Sequence, residues 1–382
     1  MKNQTTTGIL TEGASIQPLS RKGLRHMSRR RLLTLSLGVG VTLAGGIGGV
    51  AFWRHLSAPR VIQRLDEVAS PVAWSPDGQR FVAGDASGNV TVWTRDGTRI
   101  SRQQKLDQYA VSSLTWSPNG QYLTAGGDGF VHLWHAQSGL DLATYPRADR
   151  SLAWSPESTR IASGNESGEI QIWQAASGRV SLQVQAYNDV ISPPIDSLAW
   201  SPDGLHLAAI GPEAGDAPAL WDTTTGKATA LPWSEGVVNR LYSAIRVIAW
   251  SPDGRSLAAG YAADRDIGRL VFWSLDESTR AWKHLRSVDA HVQTVNGLAW
   301  APDSAHLASV GEDHTMHIWR ASTGELLTTY TSDWSGGNLA WWGVTEGYAL
   351  RAVAWSPDGQ YLLTGDNVGQ VLLWNVQRAE KR

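Results

Sequence analysis

The sequence contains no cysteine among its 382 residues. Disulfide bonds, thiol catalysis and cysteine-ligated zinc are therefore excluded, and the composition is compatible with an oxidising compartment. Phosphate-binding glycine loops, GxSxG nucleophile elbows and HExxH metal motifs are also absent, and the ten histidines are scattered along the chain. The sequence therefore predicts no catalytic residue, no metal site and no cofactor, and we expect a protein that is not an enzyme.

Basic and acidic residues are present in nearly equal numbers. The formal net charge is -2 at pH 7, and no block of basic residues occurs within residues 60–382. Because surfaces that bind nucleic acid concentrate Lys and Arg, we expect no nucleic-acid partner.

Phenylalanine is scarce, with four copies, whereas tryptophan occurs twenty times. Fourteen of these tryptophans belong to seven repeats, each of which opens with a segment similar to AWSPDG and closes with a second tryptophan about twenty residues later. The opening residues are Trp74, Trp116, Trp154, Trp200, Trp250, Trp300 and Trp355, and the closing residues are Trp93, Trp134, Trp173, Trp221, Trp273, Trp319 and Trp374. The repeats recur every 38 to 55 residues, and a period near 40 is typical of propeller blades.

Each repeat is predicted to form a four-stranded antiparallel blade. Apolar residues alternate or occur in short runs, and no segment keeps a helical period over ten residues. The segment Ser-Pro-Asp-Gly has the residue types of a hairpin turn, because proline fixes φ and glycine adopts positive φ without strain. Where serine replaces the glycine, at Ser158 and Ser304, we expect the turn to persist with some backbone strain.

The ends of the repeat region predict how the ring closes. The first six repeats continue after the closing tryptophan into a segment typical of an outer strand, whereas Trp374 is followed by the short, charged segment NVQRAEKR. A matching strand segment, residues 60–65, lies before the first repeat. We therefore expect this segment to supply the outer strand of the last blade.

The repeat resembles that of the WD-repeat (WD40) β-propeller family, of a bacterial membrane-anchored type, over roughly residues 60 to 382. The resemblance implies an all-β fold, a seven-bladed β-propeller of four-stranded antiparallel blades. It also implies that His291, Ser309, Asp313 and Trp319 of the sixth repeat form a buried, structural hydrogen-bonded tetrad. The other repeats lack the histidine, and WSPDG repeats also occur in other bacterial propellers such as the TolB type, so the subfamily stays open.

The N-terminal region predicts a transmembrane helix before the propeller. Residues 32–53 carry no charge, and as a helix they would be about 33 Å long, enough to cross a hydrocarbon core of ~30 Å. Six basic residues precede the stretch within residues 21–31, and three follow it closely. The positive-inside rule then places residues 1–31 as a cytoplasmic tail, residues 32–53 as a transmembrane helix or signal anchor, and residues 54–382 as a propeller outside the cytoplasm. A buried globular helix is the alternative interpretation of residues 32–53.

The export route of such an anchor is open. Residues 28–34 (SRRRLLT) resemble a twin-arginine motif, but a plain topogenic charge cluster would place the same arginines there. Residues 49–51 fit a cleavage site loosely, and Pro59 disfavours cutting after Ala58. We therefore expect an uncleaved single-pass anchor.

Together these features predict a non-catalytic scaffold that is tethered to a membrane and binds a protein partner. The competing hypothesis is an exported propeller enzyme, or a ligand or glycan binder, that uses the central channel. A cluster of carboxylates or histidines at one mouth of the channel would favour that alternative.

Binding is expected on the face that carries the connections between second and third strands and between blades, because insertions collect there. They comprise residues 211–218 in the fourth blade, residues 261–268 in the fifth, residues 237–244 and 276–289 between blades and, longest of all, residues 331–350 before the last blade. The longest insertion holds Trp334, Trp341, Trp342 and Tyr348, residue types that are enriched at interface hot spots. These four are the candidate partner-binding residues, with packing onto the propeller as a lid as the alternative.

Overall fold

The computed structural model describes residues 60–64, 69–106, 109–147, 150–186, 194–210, 218–233, 245–264, 267–332 and 348–376. All regular elements in these ranges are strands, and they form seven four-stranded antiparallel sheets. The seven-bladed, all-β prediction is therefore confirmed. Within the same ranges no helix is long and apolar enough to cross a membrane, and the predicted transmembrane segment at residues 32–53 lies outside them.

The chain enters the fold through β1 (Arg60–Arg64) and then builds the first three blades from consecutive strands. Blade 1 contains β2 (Ala69–Trp74), β3 (Arg80–Asp85), β4 (Asn89–Thr94) and β5 (Arg99–Lys105). Blade 2 contains β6 (Ser113–Trp116), β7 (Tyr122–Gly127), β8 (Phe130–His135) and β9 (Asp141–Pro146). Blade 3 contains β10 (Ser151–Trp154), β11 (Arg160–Gly164), β12 (Glu169–Gln174) and β13 (Val180–Gln185).

The remaining blades follow the same order. Blade 4 contains β14 (Ala199–Trp200), β15 (His206–Ile210), β16 (Pro218–Asp222) and β17 (Ala228–Ala230). Blade 5 contains β18 (Ile245–Trp250), β19 (Ser256–Asp264), β20 (Ile267–Leu275) and β21 (Trp282–His291). Blade 6 contains β22 (Val295–Trp300), β23 (His306–Gly311), β24 (Thr315–Arg320) and β25 (Glu325–Thr331). Blade 7 contains β26 (Leu350–Trp355), β27 (Tyr361–Asp366) and β28 (Gln370–Asn375), with β1 as its fourth strand.

The first strands of neighbouring blades contact one another around a closed ring, from β2 through β26 and back to β2. Because the strands of each blade are antiparallel, the turns after the first and third strands lie at one end, which we call the turn face. The turn after the second strand and the connection to the next blade lie at the other end, which we call the loop face.

Ring closure follows the sequence prediction. Strand β1 pairs antiparallel with β28, with Arg60 opposite Leu373 and Arg64 opposite Gln370. The predicted segment ended at Leu65, which lies outside the described residues. The first strand of the described residues therefore completes the last blade.

The Ser-Pro-Asp-Gly segments form hairpin turns on the turn face. In the first copy the hydroxyl of Ser75 donates to Oδ1 of Asp77 at 2.5 Å and accepts from the backbone N–H of Arg80 at 2.9 Å. Where the glycine is replaced, Ser158 has φ 61° and Ser304 has φ 56°, so both serines occupy the left-handed region. The expectation of a strained but preserved turn is confirmed at both positions.

One insertion was placed wrongly by the sequence reasoning. The prediction that residues 276–289 connect two blades is wrong: the structure places them within blade 5, as the turn after β20 and most of β21. The strand follows the turn at Trp282, whose ring packs edge-on against Trp250 at 5.3 Å. This turn lies on the turn face, since it follows a third strand.

The closing tryptophans are 0 to 4% exposed and occupy the interiors between blades. The opening tryptophans have a second role, because four of their indole N–H groups donate to the preceding blade. The acceptors are Thr124 Oγ1 for Trp154 and the carbonyls of Ala153, Ala199 and Ala249 for Trp200, Trp250 and Trp300, at 2.9 to 3.1 Å. Adjacent blades 2 to 6 are thus joined by hydrogen bonds as well as by apolar contact.

Candidate functional site

A continuous hydrogen-bond network lies at the loop-face end of blade 6. Nδ1 of His291 donates to Oδ1 of Asp313 at 2.9 Å, and Nε2 accepts from the Ser309 hydroxyl at 2.7 Å. The indole of Trp319 donates to the same hydroxyl at 2.9 Å. The side chain of His291 is 0% exposed, so its two ring nitrogens find their partners inside the protein. The four residues named from the family resemblance thus lie in one hydrogen-bonded chain.

The carboxylate of Asp313 is held by further donors that the sequence did not indicate. Thr315 Oγ1 donates to its Oδ1 at 2.7 Å, and the backbone N–H of Val292 donates to its Oδ2 at 2.8 Å. Burial alone would raise the pKa of Asp313, but the hydrogen bond from His291, the electrostatic interaction with that ring and the hydrogen bonds from Thr315 and Val292 lower that pKa to about 2. Asp313 therefore ties the end of β21 to the turn before β24.

Other blades complete this arrangement only in part. The closing tryptophans Trp173 and Trp374 donate to Ser163 and Thr364, nine residues after the opening tryptophan. In blades 1, 2 and 4 that position is alanine, and the indole nitrogens of Trp93, Trp134 and Trp221 are buried without a partner. In blade 5 the indole of Trp273 instead donates to the carbonyl of Pro232, 2.7 Å away. Among the described residues, the sixth blade therefore carries the hydrogen-bonded chain that links a histidine, an aspartate, a serine and the closing tryptophan.

The candidate partner-binding insertion begins and ends beside this network. Trp334, Trp341 and Trp342 lie outside the described residues, whereas Tyr348 is half-buried. Ser332, directly after β25, donates its backbone N–H to the carbonyl of His314 at 2.9 Å. Its hydroxyl donates to the carbonyl of Tyr348 at 2.9 Å. Ser332 thus clamps the two ends of the insertion together on the loop face.

The base of the insertion is also tied to blades 6 and 7. Asn296 donates to the carbonyl of Leu350 at 2.9 Å, and the guanidinium of Arg351 lies 2.9 Å from the carboxylate of Glu312. The backbone N–H of Asn367 donates to the carbonyl of Ala349 at 3.0 Å. Sequence reasoning missed these positioning residues, because hydrogen bonds between segments this far apart leave no local pattern.

An open polar groove of about 620 Å³ lies between blades 2 and 3, also on the loop face. Two of its carboxylates are engaged: Glu166 pairs with Arg150 at 2.9 Å and Glu169 accepts from Asn165 at 3.0 Å. Among the described residues, no group of three or more histidines, aspartates and glutamates could hold a metal ion. The groove can accept polar ligands, but its geometry assigns no acid and base pair.

Comparison with known proteins identifies the repeats. The family model described as "WD domain, G-beta repeat" matches residues 72–94, 101–135, 150–174, 282–320 and 343–375. The fourth blade and nearly all of the fifth fall outside these ranges. The predicted insertions 211–218 and 237–244 lie in and directly after the fourth blade.

Similar proteins come from animals and plants. "Telomerase protein component 1" of Rattus norvegicus is 27% identical over 357 residues, which cover 92% of this chain and 12% of the relative. "Cell division cycle 20.1, cofactor of APC complex" of Arabidopsis thaliana is 26% identical over 277 residues, 67% of this chain and 55% of the relative. "Protein FIZZY-RELATED 1" of the same plant is 22% identical, over 87% of this chain and 57% of the relative. The chain thus spans between 12% and 57% of the length of these relatives. Five segments of the chain thus match the WD-repeat model, and the described residues fold as a seven-bladed propeller.

Proposed function

We propose that the chain is a non-catalytic scaffold that binds protein partners on the loop face of its propeller. The observation that carries this proposal is the clamp at Ser332, which fixes both ends of a tryptophan-rich insertion on a rigid rim. A rigid base reduces the entropy lost when a loop binds, and aromatic residues are enriched at interface hot spots. The names of two relatives, a telomerase component and a cofactor of a complex, are consistent with a role in protein assemblies.

The scaffold is proposed to be tethered to a membrane through residues 32–53, with its propeller outside the cytoplasm. The support is the uncharged stretch itself and the excess of arginine before it, including Arg29, Arg30 and Arg31. Partners of the scaffold would then lie in the same compartment as the propeller.

Topology can be tested with a reporter fused after Arg382. A reporter that is active only outside the cytoplasm should be active, and one that is active only inside should not. Replacing Arg29 and Arg30 by lysine should abolish export if the twin-arginine route is used, because that route requires the arginine pair, and should leave it intact on the general secretory route. Activity of the cytoplasmic reporter in the unchanged chain would contradict the proposed orientation.

Partner binding can be tested by replacing Trp334, Trp341 and Trp342 with alanine. Hot-spot residues typically contribute 2 kcal/mol or more, so we expect crosslinked partners captured from membranes to bind at least about 30-fold more weakly. The melting temperature should remain within about 2 °C of the parent, since surface substitutions change stability by ~0.5 kcal/mol.

The matched control replaces two exposed aromatics elsewhere on the loop face, Tyr109 and Phe130, which are 52% and 41% exposed. This double variant should capture the same partners as the parent. A triple variant that binds normally would move the site elsewhere, and one that unfolds would favour packing of the tryptophans onto the propeller.

A further inference from the structure

A second histidine lies against the hydrogen-bonded network of blade 6. The ring of His317 stacks on that of His291 with centroids 4.4 Å apart and planes at 11°. The edge of Trp319 contacts His317 at 5.5 Å between centroids. Nδ1 of His317 is buried and has no hydrogen-bond partner. An imidazolium at this position would therefore have one N–H without an acceptor and a second imidazole across its face.

The charges around His317 offer little compensation. Asp313 is the nearest carboxylate, and its oxygens are already bound by His291, Thr315 and the backbone of Val292. The strands on either side place Ser309 and Thr329 opposite His317, and neither residue titrates. At the loop-face end of the elements packed around it, the other charged or titratable groups are Asp289, paired with Arg269; Glu312, paired with Arg351; His314; and Tyr330, whose ring packs on Trp374. Towards the other end, the same elements carry Lys283, His284, Arg286, His306, Arg320 and Glu325.

One of the two hydrogen bonds of the Ser332 clamp, from its N–H to the carbonyl of His314, extends the pairing of β24 with β25. Strands β24 and β25 are paired from Arg320 and Glu325 up to Thr315 and Thr331, and the Ser332 N–H to His314 carbonyl bond continues that ladder. His317 lies opposite Thr329, three residues before Ser332. His317 is half-buried in the closed ladder, and its Nδ1 is shielded. We expect opening of this end of the ladder, which breaks the clamp, to expose Nδ1 to water.

We propose that the stacked pair His291 and His317 makes the clamp at Ser332 proton-sensitive, so that mild acidification loosens the base of the insertion. A regulatory role for this pH response rests on the proposed binding function of the insertion. The pH response of the clamp does not depend on that function.

The direction follows from linkage. Burial, together with the electrostatic interaction with the stacked His291 ring, lowers the pKa of His317 to about 4, below the ordinary value of 6.5. In the opened state, hydrated His317 has a pKa near the ordinary value of 6.5. The closed state is therefore fully favoured above pH 6.5, and it loses stability as the pH falls from 6.5 towards 4. Between pH 8 and pH 5 the opening equilibrium should rise by about 30-fold.

Blade 2 supplies a matched internal control. Its His132 also precedes the closing tryptophan by two residues and stacks on Trp134 at 5.7 Å, but its ring bonds to Thr144 rather than stacking on a second histidine. The hydrogen bond equivalent to the clamp joins the Arg147 N–H to the Gly129 carbonyl at 3.0 Å.

The test is amide hydrogen exchange of the full-length chain in detergent micelles, with rates corrected for the intrinsic pH dependence of exchange. Protection at Ser332 should fall about 30-fold from pH 8 to pH 5, while protection at Arg147 should change less than about 3-fold. His317→Gln should make protection at Ser332 insensitive to pH, and His132→Gln should change neither amide.

Parallel loss of protection at Ser332 and Arg147 in the unchanged chain would overturn the inference, even if no variant folds. A pH response at Ser332 that persists in His317→Gln would do the same. Because exchange is measured without any partner, these results are independent of whether the insertion binds one.

Discussion

Removing residues 60–65 should abolish the cooperative unfolding of the propeller. Strand β1 supplies the fourth strand of blade 7, and without it β28 becomes an open sheet edge. Two apolar side chains of β28, Val371 and Leu373, are 0% and 7% exposed. Both should become more exposed to water when β1 is removed. Ile62 of β1 also packs into the core shared by blades 7 and 1. We expect a loss comparable to the stability of a whole domain, about 5 to 15 kcal/mol.

Two truncated chains isolate the effect of the strand. A chain that begins at residue 54 retains β1 and should unfold in one sharp transition in guanidinium chloride, followed by tryptophan fluorescence. A chain that begins at residue 66 should unfold gradually or aggregate, because its ring has a free edge. Equal transition midpoints and slopes for the two chains would show that closure does not depend on β1.

The ring architecture could be predicted from the sequence because each repeat carries its own signals. Burial of the closing tryptophans and the turn chemistry of Ser-Pro-Asp-Gly act within about twenty residues, so they are visible in one chain. The closure by β1 could also be predicted, because residues 60–65 have the pattern of an outer strand and precede the first repeat. Even the strain at Ser158 and Ser304 followed from the loss of glycine at a position that needs positive φ.

What the sequence could not indicate are contacts between side chains of different repeats. The donation from Trp200 to the carbonyl of Ala153 spans 47 residues, and its acceptor is a backbone group that any residue could provide. His317 stacks on His291 because the antiparallel pairing of blade 6 and the neighbouring β21 bring them together, not because of their spacing. Residues 276–289 were misplaced since a polar turn followed by a mixed strand resembles a linker.

Asp313→Ala should have the second largest effect, a loss of about 3 kcal/mol in the free energy of unfolding. The substitution removes the acceptor of the His291 Nδ1–H, which is buried away from water, and also frees the donors of Thr315 and Val292. Urea unfolding of the full-length chain in micelles at pH 7 measures the loss. Asp313→Asn should lose less, because the amide oxygen still accepts one hydrogen bond.

An exposed pair in the same blade provides the control for this prediction. Asp303 accepts from His306 at 2.8 Å, but the two side chains are 24% and 30% exposed, so water replaces the lost partner. Asp303→Ala should therefore lower the free energy of unfolding by about 1 kcal/mol, mainly because it weakens the turn that contains Asp303. Because the pKa of Asp313 is lowered to about 2 in the folded state, its contribution is complete above the unfolded value near 4. The contribution disappears as the pH falls through 2, where Asp313→Ala and the parent should converge. Equal losses for the two alanine variants at pH 7 would mean that the network of blade 6 adds nothing beyond a surface pair.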